Sequence, residues 1–152
     1  MISGMRGVAM LRIRDVLKTK GDDMWTVVPG ATVYEALEIM ADKNVGALLV
    51  VDGERLVGVF SERDYARKVA LKGKHSQDVL VEELMTTEVY SVTPSETVEE
   101  CMAVMTAAYC RHMPVFEEKK LVGVVSIGDI VHATISEHQV KIRDLEKYIT
   151  GF

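Results

Sequence analysis

Apolar positions along the chain change their spacing from one segment to the next, and the same changes occur twice in the same order. Val33, Ala36, Leu37 and Met40 keep the three-and-four spacing of one buried helix face, and Val98, Cys101, Met102 and Met105 repeat it. A Thr with a Glu three residues on precedes each stretch (Thr32 and Glu35, Thr97 and Glu100). That pattern lets a hydroxyl and a carboxylate satisfy the free N–H groups of a first helical turn. Continuous apolar runs follow at 47–51 and 113–116. Polar turns at Asp52-Gly53 and Glu117-Glu118 separate them from further apolar runs around Gly58 and Gly123. Runs this short predict adjacent strands covered on at least one face. Ser61 and Ser126 then each open a second helix directly after a strand.

The two series are one series repeated. A shift of 65 positions lays one over the other without a gap. Val27, Pro29, Thr32, Val33, Glu35, Met40, Val50, Leu56, Val57, Gly58, Val59, Ser61 and Asp64 all recur. Each copy reads as a β-α-β-β-α unit, the first over 13–72 and the second over 81–134, joined by a linker at 73–80. A copy of roughly 60 residues buries little core alone, so the two are expected to pack as a pseudo-twofold pair of α+β class. Val140, Leu145 and Ile149 fall near a helical stripe, which predicts a terminal helix over 135–152.

Composition narrows the functions that such a fold could carry. The 152 residues are 48% hydrophobic and 27% charged, as in ordinary globular chains. A formal net charge of −5 opposes general nucleic-acid binding, which draws its affinity from Lys and Arg on phosphates. Cys101 and Cys110 form no CxxC, and neither they nor His75, His132 and His138 keep a zinc-ligand spacing. The thiols read as buried groups in a reducing compartment and the imidazoles as surface residues. The N-terminus lacks a cleavable leader pattern, and no run reaches the ~18 apolar residues of a membrane span. A cytoplasmic protein away from the membrane is the expectation. With no P-loop and no Ser-His-Asp arrangement in the sequence, no catalytic residue, metal or catalytic cofactor is expected.

The motif with most chemistry is Gly-h-h-Ser-x-x-Asp, h being apolar, at 58–64 and again at 123–129. A helix start offers unpaired N–H groups and partial positive charge, which can hold a phosphate while the serine adds a donor. The aspartate three residues on could accept from the vicinal hydroxyls of a ribose, and the glycine would let a ligand approach the backbone. The same residues also suit a helix cap with no ligand at all. Motif physics leaves both readings open.

On these paired motifs, with the segments 45–52 and 110–116, the chain resembles a tandem pair of CBS domains, the repeats named after cystathionine β-synthase. The resemblance runs from about 13 to 134. It implies a regulatory module that takes an adenosine-containing ligand (AMP, ADP, ATP, NAD or S-adenosylmethionine) in clefts between the repeats. It also implies dimerisation and an effector protein as partner. It assigns Asp64 and Asp129 to ribose, Ser61 and Ser126 to ribose or phosphate, and Val59 and Val124 to the flanks of the adenine. The backbone of Val45, Gly46 and Ala47, and of Cys110, Arg111, His112 and Met113, would read the adenine edge. The opening turns would add Lys18 and Thr19 in one repeat and Thr86 and Thr87 in the other.

The copies are not identical. Arg63, able to grip a phosphate, stands where the second copy has Gly128, and Leu49 stands where it has Pro114. Trp25 and Tyr90 precede the first strands and could lie against a ring, although a lone aromatic is more often core or rim. The alternative reading is a ligand-free interaction module that works by dimerisation, for instance through its terminal helix.

Overall fold

The computed structural model describes residues 10–21 and 23–136. The fold is α+β and falls into two compact units, one running from Asp23 to Val89 and the other joining the residues before it to those from Tyr90 onward.

In the unit of residues 23–89, strand β1 (Thr26–Val27) pairs parallel with β2 (Ala47–Asp52), and β2 pairs antiparallel with β3 (Arg55–Ser61). Helix α2 (Val33–Lys43) supplies the crossover between the parallel strands. Thr32 caps α2 by accepting from the Glu35 N–H at 3.1 Å, as its spacing predicts. Asn44 ends it in the left-handed conformation that Asn tolerates. Val33, Ala36, Met40, Leu48, Val50 and Phe60 build the core with Val69, Val79 and Val81. Ser61 opens helix α3 (Glu62–Tyr65), which widens into a π-helical turn over Ala66–Ala70. A short helix, α4 (Val81–Leu84), closes the unit.

The other unit repeats this plan at the same register. Helix α5 (Val98–Ala108) precedes the antiparallel pair β4 (His112–Glu117) and β5 (Lys120–Ser126), after which residues 127–136 are helical (α6). Val92 bridges Val115 in parallel, the counterpart 65 positions on of Val27 beside Val50. Each hairpin carries one extra residue, Val57 or Val122, where the ladder shifts register. The connecting turns are Gly53-Glu54 and Glu118-Lys119, because the strands run through Asp52 and Glu117, one residue beyond their sequence-predicted ends. On α5, Met102 is 39% exposed rather than buried. The buried face is turned toward Val104, which packs on the core with Val98, Cys101 and Met105.

The opening helices have exchanged places. Helix α1 (Ile13–Lys20) lies with the residues from Tyr90 onward, and α4 lies with the first repeat. Their bonds are equivalent. The Val81 and Glu82 N–H groups donate to the Ala31 and Pro29 carbonyls at 2.8 and 3.0 Å, and Ile13 and Arg14 donate to Glu96 and Pro94 at 2.9 and 3.0 Å. Val33 donates to Val79 at 2.8 Å, and Val98 to Leu11 at 2.9 Å. Nearness in sequence predicts neither partner, since each helix could reach either sheet. In the predicted terminal helix over 135–152, everything from residue 137 lies outside the described residues.

Candidate functional site

Each Gly-h-h-Ser-x-x-Asp element leaves its sheet on β3 or β5 and starts a helix at the serine. Both serines are N-caps: the Asp64 N–H donates to Ser61 Oγ at 3.2 Å and the Asp129 N–H to Ser126 Oγ at 3.0 Å. The aspartates answer by accepting from the serine N–H groups, at 3.0 Å for Asp64 Oδ2 and 2.8 Å for Asp129 Oδ2. These are reciprocal capping boxes with Asp in the usual Glu position. The chain before the inner strand is tied to the same helix start, because the Gly46 carbonyl accepts from the Glu62 N–H (3.0 Å) and that of Arg111 from the Ile127 N–H (2.8 Å). Ala47 lies opposite Ser61, and His112 opposite Ser126.

Beyond the boxes the two sites differ. After α4 the chain is extended, so Thr86 bridges Val59 by paired backbone bonds of 2.9 Å and brings its Oγ1–H to Asp64 Oδ1 at 3.3 Å. Lys68 Nζ reaches the same Oδ1 at 3.0 Å from within the helix and also donates to the Leu84 carbonyl at 2.9 Å. Helix α1 instead stays helical through Lys20. The Lys20 side chain then spans the gap, its Nζ donating to the Val124 carbonyl at 2.8 Å and to Asp129 Oδ2 at 2.7 Å. Burial alone would raise the Asp129 carboxyl, but hydrogen bonds from Lys20 and Ser126 and the ammonium charge outweigh it, holding it below its ordinary value of 3.8.

The structure therefore gathers Gly46, Ala47, Val59, Ser61, Asp64 and Thr86 in one unit, and Arg111, His112, Val124, Ser126 and Asp129 in the other. Lys18, Thr19 and Thr87 are exposed, and the Thr19 hydroxyl donates to the Asp15 carbonyl of its own helix at 3.2 Å. Arg63 is half-buried. Val45 and Cys110 end their helices by donating to Met40 and Met105 at 3.0 and 3.1 Å, with their side chains against the cores. Met113 is wholly buried and offers only its backbone. Trp25 carries the Lys43 ammonium 4.5 Å from its ring centroid.

Sequence reasoning misses Lys20 and Lys68, the cations on the two aspartates. Lys68 stands four residues after Asp64, a pairing that helical spacing could have flagged. The glycines also serve differently from expectation. A Cβ on Gly58 would meet Met85 Sδ at 2.7 Å and the Thr86 carbonyl oxygen at 2.9 Å, and one on Gly123 would meet the Leu17 side chain at 2.9 Å. Protein packed by the opening helices stands on the Cβ side of each glycine.

Among the described residues, no group of three or more His, Cys, Asp or Glu could hold a metal ion, and no helix is long and apolar enough to cross a membrane.

Comparison with known proteins places these features. The CBS domain pattern matches residues 13–71 and again 81–136. A CBS domain-containing protein of Arabidopsis thaliana, CBSX3, is 40% identical over 154 residues, covering 95% of this chain and 75% of its own. Its name places it in the mitochondrion, so kinship does not imply the cytoplasm. A solved structure from Burkholderia ambifaria, described as a signal-transduction protein with CBS domains, superposes with a TM-score of 0.79 at 45% identity. It covers 82% of this chain and 94% of that one. These relatives are named for their domains or for signalling rather than as enzymes. The CBS domain pair of protein MJ0100, in complex with 5'-methylthioadenosine and S-adenosyl-L-methionine, shares the fold with a TM-score of 0.74 at 24% identity, covering 85% of this chain and 99% of that one. The chain belongs to the CBS domain family, with two CBS domains in tandem.

Proposed function

We propose that this chain is a non-catalytic sensor that binds an adenosine-containing ligand of the AMP, ADP, ATP or NAD class at the capped helix starts and passes its occupancy to an effector protein or to a second copy of itself. One observation carries the reading. In both units a serine hydroxyl and an aspartate carboxylate are fixed at the positive end of a helix, with a lysine ammonium on the carboxylate. A carboxylate so placed suits the ribose hydroxyls, while the cation suits a phosphate. The adenosine ligands named for the MJ0100 pair, a protein of the same fold, support the ligand class. Occupancy can shift the protein between states only through differential affinity for them.

Thermal unfolding of nucleotide-stripped protein against AMP, ADP, ATP, NAD and S-adenosylmethionine tests this. Ligand at 100 times its Kd adds about 2.7 kcal/mol, and each kcal/mol moves the midpoint by roughly 2–4 °C. A shift with one ligand that is lost in an aspartate variant supports the sensor. No shift with any of them turns the reading to the interaction module.

A specific feature favours self-association as the route of output. Ile127, Val131 and Ile135 are exposed at four-residue spacing along α6, where the first repeat has Glu62, Ala66 and Ala70. Such a stripe suits a helical partner face. Val131→Glu should convert a dimer to a monomer by light scattering, and an unchanged mass would remove the stripe from the interface.

A further inference from the structure

The helical stretch after β3 differs from its counterpart after β5 in a way that the fold does not require. Residues 62–74 hold five Lys or Arg against two acids, while 127–139, the same stretch 65 positions on, hold no Lys or Arg. Outside 62–74, the unit of residues 23–89 carries ten Asp or Glu and only two cations, Lys43 and Arg55. Positive charge is thus gathered in one segment of an otherwise acidic unit. Lys68 is committed to Asp64 and the Leu84 carbonyl, but Arg67, Lys72 and Lys74 are exposed and make no ion pair among the described residues. Leu71 stands among them in sequence with 81% of its surface exposed. The chain here widens into the π-helical turn over Ala66–Ala70, where its counterpart at 131–135 stays α-helical. The segment is fixed at its root. The Leu71 N–H donates to the Ala66 carbonyl at 3.1 Å, those of Lys72 and Lys74 to the Val69 carbonyl at 3.2 and 3.0 Å, and the Val69 side chain is wholly buried in the core.

Resting on the sensor reading only for the existence of an effector, we infer that residues 67–74 dock a short acidic segment of that protein, with an apolar side chain set among its Asp and Glu residues. The apolar side chain covers Leu71, and the carboxylates lie on Arg67, Lys72 and Lys74. Charge complementarity also selects among anions. An extended polyanion, such as a nucleic acid or an anionic lipid surface, meets the acids of the same unit as well as the three cations, and that repulsion reaches about 8–10 Å at physiological salt. A short peptide gains from the cations alone. A phosphate backbone, moreover, has no use for an exposed leucine. Because backbone bonds already hold the docking segment, binding orders its side chains but not its chain, which keeps the entropic cost low.

Selection of a random-sequence peptide library on the immobilised full chain tests this, with a triple variant, Arg67→Glu, Lys72→Glu and Lys74→Glu, as counter-selection. Peptides kept by wild type and lost on the variant are expected to carry several Asp or Glu around an apolar residue. In titrations of the tightest such peptide, the triple variant should bind at least about tenfold more weakly and Leu71→Ser about fivefold more weakly. Arg55→Glu, at the other end of β3, should stay within about twofold of wild type. All the substituted side chains are exposed, so thermal midpoints should stay within about 2 °C of wild type, and raised salt should weaken the wild-type complex without any substitution. A library that yields no peptide, peptides without acids, or a peptide held equally by the triple variant would overturn the inference. So would tighter binding of single-stranded DNA or phosphatidylserine vesicles than of any selected peptide. A fall in mass of Leu71→Ser by light scattering would overturn it too, by making a second copy the occupant. Each of these leaves the nucleotide test of the sensor untouched, and a nucleotide test that fails leaves the peptide measurements standing.

Discussion

Lys20 Nζ sits 2.7 Å from Asp129 Oδ2, joining the end of α1 to the start of α6 across 109 positions of sequence. Both side chains keep about a quarter of their surface exposed, so solvent screening limits the pair to about 1 kcal/mol or less. Its pH dependence has a definite sign. A carboxyl held below its ordinary value stabilises the fold above that value and loses the contribution as pH falls through the depressed one. Lys20→Met should therefore unfold a few degrees below wild type at pH 7, and the gap should close as pH falls through the depressed carboxyl value. Melting curves from pH 2.5 to 7 check this, and a constant gap would mean that the contact is not ionic.

The two motif glycines should answer differently to the same change. Gly58→Ala drives a methyl against the Thr86 carbonyl and Met85, where a backbone oxygen has no rotamer to escape into. Gly123→Ala meets only the Leu17 side chain. Overpacking costs about 1–3 kcal/mol, so Gly58→Ala should lie near the top of that range and Gly123→Ala near the bottom. Urea midpoints give the order directly, and equal losses would contradict it.

The β4–β5 turn offers a gain. Glu118 and Lys119 hold φ values of 50° and 69°, a left-handed pair suited to Asn-Gly in a two-residue hairpin. Replacing them with Asn and Gly should stabilise the chain by about 1 kcal/mol, visible as a higher urea midpoint. A lower midpoint would mean that the native side chains contribute more than the backbone strain costs.

Cys101 is fully buried, with its Sγ–H 3.9 Å from Met113 Sδ. Burial, followed by the charges of Glu96 and Cys110, pushes its thiol up to about 11. At pH 8 about one molecule in a thousand then carries the thiolate, the form that reacts. Iodoacetamide should modify Cys101 slowly in the native protein and rapidly in urea, as read by peptide mass. Fast native modification would mean that the thiol is reached by solvent in the native state.

Much of this was legible in the sequence because the repeat is spelled in residues with local jobs. Thr32, Thr97, Ser61 and Ser126 cap the helices they precede, and the 65-position offset carries through to the ladder register and both hairpin irregularities. What escaped depends on distance. Whether α1 joins one sheet or the other is decided by packing after the chain has turned, and local pattern is the same either way. Lys20 meets Asp129 only because α1 runs on past the point where α4 stops, which puts Lys20 rather than Lys18 on the carboxylate. Met102 faces outward although its spacing fits the buried face, because a four-residue step fits either flank of a helical stripe.

The exchanged opening helices also set an order of assembly. Residues 23–89 form their unit from one unbroken stretch, so its contacts can close as soon as that stretch has left the ribosome. The other unit is interrupted by this insertion: Ile13 and Arg14 must wait for Glu96 and Pro94, eighty or more residues behind them in synthesis. Until then the apolar face of α1, Ile13 and Val16, has no sheet of its own to cover it.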